Sequence, residues 1–177
     1  MIIQLQRSST LGVFGKGCLG TEVGRLANAV GMKVLYAEHK DATVCREGYT
    51  PFEEVLKQAD IVTLHCPLTE TTKNLMNAET LSKMKKGAFL INTGRGPLID
   101  ELALVDALKT GHLGGAALDV MVKEPPEKDN LLILAAKTMP NLIITPHIAW
   151  ASDSAVTTLV GKVMQNIEEF VQQLNQK

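Results

Sequence analysis

The chain has 177 residues and a mass of 19.2 kDa, which is the length of one domain and enough to bury a core. Hydrophobic residues make up 45% and charged residues 21% of it, and these ordinary globular values argue against intrinsic disorder. The formal net charge is -1, so composition offers no electrostatic case for nucleic acid or an anionic membrane as a main partner.

Membrane insertion and secretion are also disfavoured. No apolar run approaches the roughly 20 residues of a membrane helix, and the first ten residues lack the basic start and apolar stretch of a signal peptide. The three cysteines (Cys18, Cys45 and Cys66) are widely spaced and form no C-x-x-C pair. An odd number in this pattern excludes a disulfide framework and indicates a reducing compartment. The composition predicts a soluble, cytoplasmic, single-domain protein.

Short apolar runs alternate with amphipathic stretches along the chain. The runs predict strands at residues 11–14, 33–37, 61–65, 88–93, 115–120 and 142–145. The stretches predict helices at residues 18–30, 51–58, 77–84, 100–109 and 152–173. Thr50 is predicted to cap the second helix with Pro51 in its first turn, and Asn77 to cap the third. Residues 121–130, with two adjacent prolines, are predicted to be irregular.

This alternation predicts an α/β fold. The strands are near-continuous apolar runs, which is typical of a parallel sheet buried on both faces. Right-handed crossovers then leave a doubly wound parallel sheet, in three αβα layers, as the leading topology.

A glycine-rich turn, G-x-G-x-x-G, follows the first predicted strand. Gly15, Gly17 and Gly20 stand where the chain must turn, where a pyrophosphate approaches the backbone and where helix packs on strand. The helix that begins near Cys18 and continues through Leu19 offers unpaired N–H groups to a phosphate. The pattern predicts the dinucleotide site of a Rossmann fold.

An acidic residue, Glu38, ends the second predicted strand. A carboxylate there accepts hydrogen bonds from both hydroxyls of the adenosine ribose and repels a 2′-phosphate, which favours NAD over NADP. His39 and Lys40 follow directly and would weaken that repulsion. The alternative is that the glycines only make a tight turn and that Glu38 is a solvated strand end.

Three polar residues follow the last three predicted strands: Arg95, Glu124 and His147. Because ligands of an open parallel sheet bind beyond the carboxyl ends of its strands, we expect these residues near a ligand. The planar fork of arginine matches a carboxylate. A histidine beside a carboxylate can exchange a proton with a substrate oxygen.

Plainer roles remain open for each of these residues. Arg95 alone could be a surface arginine in a glycine-rich turn, and His147 alone could be a satisfied structural histidine. His65 and His112 are assigned that structural role, since no paired group stands near them in the sequence. No His, Cys, Asp or Glu group has metal-ligand spacing, so no metal is predicted.

The chain resembles the NAD-dependent D-2-hydroxyacid dehydrogenases. The resemblance runs from about residue 10 to residue 152, and its segments are 15–20, 38, 65–69, 92–100, 115–126 and 145–152. It implies that Arg95 binds the substrate carboxylate and polarises the 2-oxo group. It also implies that His147 protonates the carbonyl oxygen and that Glu124 holds and charges His147.

The resemblance also implies NAD as cofactor, with Asp119 at the nicotinamide carboxamide, Thr93 among the cofactor contacts, and Cys66 and Pro67 on the adenosine side. The segments 122–126 and 147–152 are most similar to the glycerate (hydroxypyruvate) dehydrogenase branch. The implied substrate is therefore a small 2-oxo or 2-hydroxy acid, such as hydroxypyruvate, glycerate or glyoxylate. A homodimer formed through the cofactor domain is implied as well.

Family members are longer, with a substrate domain built from an N-terminal segment and a C-terminal tail. We expect residues 1–177 to be one dinucleotide-binding domain with a C-terminal helix, largely without that substrate domain. Two hypotheses follow: an oxidoreductase cofactor domain, or a non-catalytic NAD-binding module or truncated remnant. A formate dehydrogenase is disfavoured, because those relatives carry glutamine where Glu124 stands.

Overall fold

The computed structural model describes residues 9–175, with side chains to residue 174. The sequence analysis predicts no signal peptide from the first ten residues. Of these, residues 1–8 lie outside the described residues. The chain divides into two compact units, one ending at Pro146 and the next beginning at His147. The first unit contains a sheet with its helices, and the second contains one long helix.

The sheet of the first unit has six parallel strands in the described residues. They are β1 (Thr10–Phe14), β2 (Lys33–Ala37), β3 (Ile61–Leu64), β4 (Phe89–Asn92), β5 (Gly115–Leu118) and β6 (Leu142–Ile144). Their spatial order is β2-β1-β3-β4-β5-β6. The order reverses between β1 and β3, and such a switch point leaves a crevice at the carboxyl ends of the strands. The predicted doubly wound parallel sheet is confirmed.

Helices follow the strands, and the first four of them lie close to the predicted positions. In the first unit they are α1 (Cys18–Ala29), α2 (Phe52–Gln58), α3 (Ala78–Ser82), α4 (Glu101–Lys109) and α5 (Leu131–Ala136). A short 3-10 turn, Gly96–Leu98, lies between β4 and α4. At the end of α1, Gly31 takes a φ of +89°, as expected of a residue that ends a helix.

Helices pack on both faces of the sheet. Val13 of β1 packs in a small cluster with Ala27 of α1. Its neighbour Phe14 points to the other face and meets Phe52 of α2 edge-on, with 5.2 Å between ring centroids. That side holds the larger core, to which α2, α3, α4 and α5 contribute. Each buried side chain such as Leu64 stabilises the fold by roughly 1.5–3 kcal/mol.

The predicted cap of α2 is wrong. The helix begins at Phe52 with Pro51 as its N-cap, and no described side chain caps it. Thr50 instead extends the pairing along β2: its N–H donates to the Tyr36 carbonyl at 2.8 Å, and its carbonyl accepts from the Glu38 N–H at 2.9 Å. Its backbone is therefore engaged by the sheet edge and not by the helix.

The cap of α3 is confirmed, whereas α5 is not predicted by the sequence analysis. Asn77 Oδ1 accepts from the Thr80 N–H at 3.1 Å, and Thr80 Oγ1 accepts from the Asn77 N–H at 2.8 Å. In α5, Asn130 caps the first turn through Oδ1, and Leu132 is buried. The run LLILAA is too short and too uniformly apolar to show a helical period.

The second unit contains α6 (Asp153–Asn175), where the sequence predicts an amphipathic helix over residues 152–173. Ser152 Oγ accepts from the Ala155 N–H at 3.2 Å and caps its first turn. Within residues 9–175, no helix combines the length and the apolar character that crossing a membrane requires.

Candidate functional site

A cavity of about 650 Å³ lies at the carboxyl ends of β1 and β3, in the first unit. Beyond β1 its wall is formed by Gly15 and Gly17, and beyond β3 by His65 and Cys66. The His65 N–H donates to the Phe14 carbonyl at 2.7 Å, which keeps the two strand ends together. The cavity is therefore at the topological switch point, where parallel sheets bind their ligands.

The glycine turn fits a pyrophosphate. Gly15 has a φ of +106°, and a Cβ on it would lie 2.5 Å from the Cys66 nitrogen. A Cβ on Gly20 would lie 1.9 Å from the Gly15 carbonyl oxygen, so both positions require glycine. A Cβ on Gly17 would meet no described atom within 4 Å, which leaves open space beside the backbone.

The first turn of α1 opens onto the same turn. Gly17 is its N-cap, and no described side chain caps the helix there. Cys18 and Leu19, the first residues of α1, are exposed. Backbone N–H groups at an uncapped helix start, together with the helix dipole, bind phosphate oxygens. The residues present thus fit a dinucleotide.

Glu38 lies directly after β2 and lines the cavity. Its side chain is only 3% exposed, so it is not a solvated strand end. Oε1 accepts from the His39 N–H at 2.8 Å, and Oε2 accepts from the Arg46 N–H at 3.0 Å. The Arg46 guanidinium donates to both oxygens, from Nε at 2.7 Å and from Nη2 at 2.6 Å.

These contacts keep the carboxylate ionised. The hydrogen bonds from the Arg46 side chain lower the pKa of Glu38 from 4.5 to about 2, against the opposing effect of burial. Backbone donors from His39 and Arg46 act in the same direction as the guanidinium. Sequence analysis assigns no role to Arg46. The feature that could have indicated this pairing is the position of Arg46 in the loop between the acid that ends β2 and the next helix.

The opposite wall of the cavity includes Cys66 and Pro67, which the resemblance places on the adenosine side. Burial raises the pKa of the Cys66 thiol, so it stays protonated at neutral pH. Burial lowers the pKa of His65, whose Nε2 lies 3.0 Å from Thr63 Oγ1. His65 therefore presents a neutral ring beside Thr63 at neutral pH, and its structural role stays a prediction.

Arg95 is in the loop after β4, where it precedes the 3-10 turn. Its side chain is exposed, and Nη1 donates to the Gly94 carbonyl at 2.8 Å. Beneath the loop, the fully buried Asn92 donates from Nδ2 to the Arg95 carbonyl at 2.9 Å and accepts from the Gly94 N–H at 3.0 Å. Thr93, between them, is exposed. Asn92 therefore fixes the backbone that presents Arg95 and Thr93.

The ends of β5 and β6 adjoin this loop. The Asp119 N–H donates to the Asn92 carbonyl at 2.9 Å, and the Thr145 hydroxyl donates to Asp119 Oδ1. Asp119 is buried, with 5% of its surface exposed. The structure thus places Asp119 beside the strand end that leads to Arg95.

Glu124 belongs to the irregular segment after β5. Its Oε1 accepts from the Met121 N–H at 2.8 Å, which folds the side chain back on its own loop. A Cβ on Gly96 would lie 2.0 Å from the Met121 carbonyl carbon, so the Arg95 loop packs directly on this segment. Arg95 and Glu124 are therefore on adjoining loops at one edge of the sheet.

His147 is the first residue of the second unit. Its φ of +54° is left-handed, which is uncommon for a residue other than glycine. Its carbonyl accepts from Trp150 Nε1 at 2.8 Å, within the turn that leads to α6. Strained backbone of this kind is concentrated at functional positions.

Comparison with known proteins gives consistent results. A family model described as "D-isomer specific 2-hydroxyacid dehydrogenase, NAD binding domain" matches residues 1–149. A Haemophilus influenzae protein named "Putative 2-hydroxyacid dehydrogenase" is 96% identical over 171 residues, which cover 97% of this chain and 54% of that protein. Glycerate dehydrogenase of Methylorubrum extorquens is 48% identical over 163 residues, which cover 92% of this chain and 50% of that protein.

A solved structure is similar as well. It is the NAD-complexed form of a D-isomer specific 2-hydroxyacid dehydrogenase from Lactobacillus delbrueckii ssp. bulgaricus, with a TM-score of 0.83 and 32% identity. The match covers 93% of this chain and 53% of that one. The chain thus spans about half the length of the relatives that it matches.

Proposed function

Because the chain belongs to the D-isomer specific 2-hydroxyacid dehydrogenase family and carries its NAD-binding domain, we propose that it works in hydride transfer between NAD(H) and a small D-2-hydroxy acid or 2-oxo acid. The observation that carries the proposal is the pair of adjoining loops at one sheet edge, which present Arg95 and Glu124. An arginine fork and a carboxylate are the groups that bind a substrate carboxylate and orient a proton donor.

The roles of the chain's own residues follow from their chemistry. Bound NADH supplies the hydride. Arg95 binds the substrate carboxylate and polarises the 2-oxo group. His147 donates the proton that the carbonyl oxygen takes up, and it accepts that proton in the reverse direction. Glu124 orients His147 and favours its charged form.

The proposed cofactor contacts divide between the Arg95 loop after β4 and the cavity beyond β1 and β3. Thr93 and Asp119 contact the nicotinamide end, next to the Arg95 loop. Gly15, Gly17 and the first turn of α1, with Cys18, Leu19 and Gly20, hold the pyrophosphate. Glu38 binds the adenosine ribose, and Cys66 and Pro67 line the adenosine side of the cavity.

Hydroxypyruvate, glycerate and glyoxylate are the proposed substrates. The similarity to glycerate dehydrogenase of Methylorubrum extorquens, at 48% identity, supports this choice. The second candidate function is a non-catalytic NAD-binding module, which the cavity beyond β1 and β3 and the glycine turn would serve without turnover.

Turnover tests the proposal directly. The purified chain is mixed with NADH and either hydroxypyruvate or glyoxylate, and the absorbance of the reduced nicotinamide is followed. We expect consumption that is lost in Arg95→Ala and kept in Arg25→Ala, a matched control on the exposed surface of α1. No turnover while NADH still binds would instead favour the binding module.

We propose a homodimer in the cytoplasm. The amphipathic helix α6 carries apolar side chains at helical spacing, such as Leu159, Val160 and Phe170, and these support an association surface. All three cysteines are free, which suits a reducing compartment. Light scattering tests the dimer, and a strictly monomeric species at high concentration would contradict it.

A further inference from the structure

The ribose-binding carboxylate of this chain is covered by an arginine. Each oxygen of Glu38 accepts two hydrogen bonds: Oε1 from the His39 N–H and Arg46 Nη2, Oε2 from the Arg46 N–H and Nε. A carboxylate offers about four lone-pair positions, so all of them are in use. A ribose hydroxyl can therefore reach Glu38 only by displacing a donor or sharing one.

The guanidinium is the donor that can move. The Arg46 side chain is 53% exposed, whereas that of Glu38 is 3% exposed. When the guanidinium turns away, the backbone N–H groups of His39 and Arg46 still bind one carboxylate oxygen each. Glu38 thus stays held by the backbone while the guanidinium shifts far enough to meet a second anion as well.

Arg46 also belongs to a positively charged group. Its guanidinium lies 4.2 Å from the centroid of the Tyr49 ring. Lys16 Nζ lies 5.0 Å from the same ring centroid and 4.8 Å from that of Tyr36. Stacking on aromatic rings holds these cations near the cavity wall at a low cost in conformational freedom.

The charges on this wall favour an anion. The charged residues lining the cavity are three cations and two carboxylates, namely Lys16, Lys40, Arg46, Glu38 and Asp41. An uncovered acid after β2 rejects NADP because its charge repels the 2′-phosphate. Here that charge is neutralised at hydrogen-bond distance, and the neutralising group is the kind of side chain that binds phosphate.

We propose that Arg46 is a specificity-determining residue of the cofactor site, and that by covering Glu38 it allows the chain to bind NADPH as well as NADH. In the NADPH complex the guanidinium lies between the two anions: it keeps a hydrogen bond to Glu38 and donates its other N–H groups to the 2′-phosphate, while Glu38 also keeps its backbone donors. In the NADH complex Arg46 stays beside Glu38, and the ribose hydroxyls share the carboxylate. This inference goes beyond the proposed function and depends only on cofactor binding, since neither substrate nor turnover enters it.

Equilibrium binding tests the inference. The dissociation constants of NADH and NADPH are measured by nicotinamide fluorescence for the native chain, for Arg46→Gln and for Arg25→Gln. Arg25 is a matched control, because it makes the same two-pronged pair with Glu22, at 2.8 and 2.6 Å, on the exposed surface of α1. The informative quantity is the ratio of the two dissociation constants, since general damage to the fold weakens both cofactors alike.

We expect native constants within about tenfold of each other, and a ratio that rises against NADPH by at least about tenfold in Arg46→Gln, as for the loss of a hydrogen bond to a charged group. Arg25→Gln should leave the ratio unchanged. A native chain that discriminates more than about a hundredfold against NADPH, or an unchanged ratio in Arg46→Gln, would overturn the proposal.

A second variant covers the case in which Arg46→Gln fails to fold. Arg46→Lys keeps the positive charge and loses the two-pronged geometry, so we expect binding of both cofactors with a ratio between those of the native chain and Arg46→Gln. Equal weakening of NADH and NADPH in Arg46→Lys would overturn the proposal, because Arg46 would then only hold its loop.

Discussion

The buried side chain of Asn92 holds the backbone of the loop that carries Arg95, with its amide nitrogen on the Arg95 carbonyl and its amide oxygen on the Gly94 N–H. Asn92 is fully buried, so neither backbone group can exchange its partner for water without opening the strand end. A polar residue at the end of an apolar strand thereby sets the position of a charged residue three places further on. Asn92 is in this sense a positioning residue for Arg95, the proposed ligand of the substrate carboxylate.

Asn92→Ala should therefore destabilise the chain and disorder the Arg95 loop. Leaving the Gly94 N–H and the Arg95 carbonyl without this partner costs about 1–3 kcal/mol of unfolding free energy, measurable by urea denaturation. Asn28→Ala, an exposed change on α1, should stay within about 0.5 kcal/mol of the native chain. If Asn92→Ala is as stable as Asn28→Ala, the two hydrogen bonds do not hold the loop.

The sequence predicts most of this fold because its strands are near-continuous apolar runs. The run LGVF ends at the glycine turn and KVLYA begins just after Gly31; both have the length and apolar character of a strand, and β2 is found over the predicted residues. Prediction fails where a local signal competes with a tertiary one. Thr50 looks like a helix cap, but the open edge of β2 pairs with its backbone.

The same contrast between local and tertiary signals holds for the candidate site. Glycines and an acid after β2 are visible because their spacing is set by one strand–turn–helix unit. The pairing of Arg46 with Glu38 is not visible, since it depends on how the loop after β2 folds back over its own strand end. The catalytic roles of Arg95, Glu124 and His147 remain predictions.

Two glycines of the turn allow a test that separates an effect on cofactor binding from an effect on packing. A Cβ on Gly17 meets no described atom within 4 Å, and its φ of -84° suits alanine, so Gly17→Ala should keep its stability within about 0.5 kcal/mol. The added methyl group occupies the space proposed for the pyrophosphate. NADH affinity, measured by fluorescence, should fall by about tenfold or more.

Gly20→Ala should behave in the opposite way. Its Cβ would lie 1.9 Å from the Gly15 carbonyl oxygen, so α1 must move off β1 at a cost of about 1–3 kcal/mol. Thermal or urea unfolding would detect that loss. Gly161→Ala, where a Cβ on α6 meets no described atom within 4 Å, serves as a control for both experiments.

The outcome that would contradict the first of these predictions concerns cofactor affinity. If Gly17→Ala binds NADH like the native chain, the pyrophosphate does not approach the backbone at Gly17.

Turnover measurements separate the proposed proton donor from its partner. His147→Asn removes the group that exchanges the proton, and kcat should fall by about 10²–10⁴ while the dissociation constant of NADH is unchanged. Glu124→Gln keeps an oxygen that can accept from the Met121 N–H, so its loop should persist. Its kcat should fall less than that of His147→Asn.

His112→Asn is the control for both variants, because the Nε2 of His112 lies 3.0 Å from the Leu81 carbonyl, in the helical layer. It should leave kcat near the native value. Native kcat in His147→Asn, with substrate saturating, would remove His147 from the reaction.

The pair of Glu38 and Arg46 predicts a loss of stability in acid. The pKa of Glu38 is about 2 in the folded chain, mainly through the Arg46 side chain, and 4.5 is its ordinary value. A carboxyl group with a depressed pKa stabilises the fold fully above the unfolded-state value, and this contribution disappears as the pH falls towards the folded-state value. The window in which the pair loses its effect therefore lies between pH 4.5 and about pH 2.

Glu38→Gln isolates this contribution, because glutamine does not titrate and every other acidic group is common to the two chains. Unfolding free energies are measured by urea denaturation for both chains from neutral pH to pH 3. The native chain should be more stable by a constant margin above pH 4.5, and the margin should narrow steadily below it. A margin that is the same at pH 3 as at neutral pH would mean that the ionised Glu38 does not contribute through Arg46.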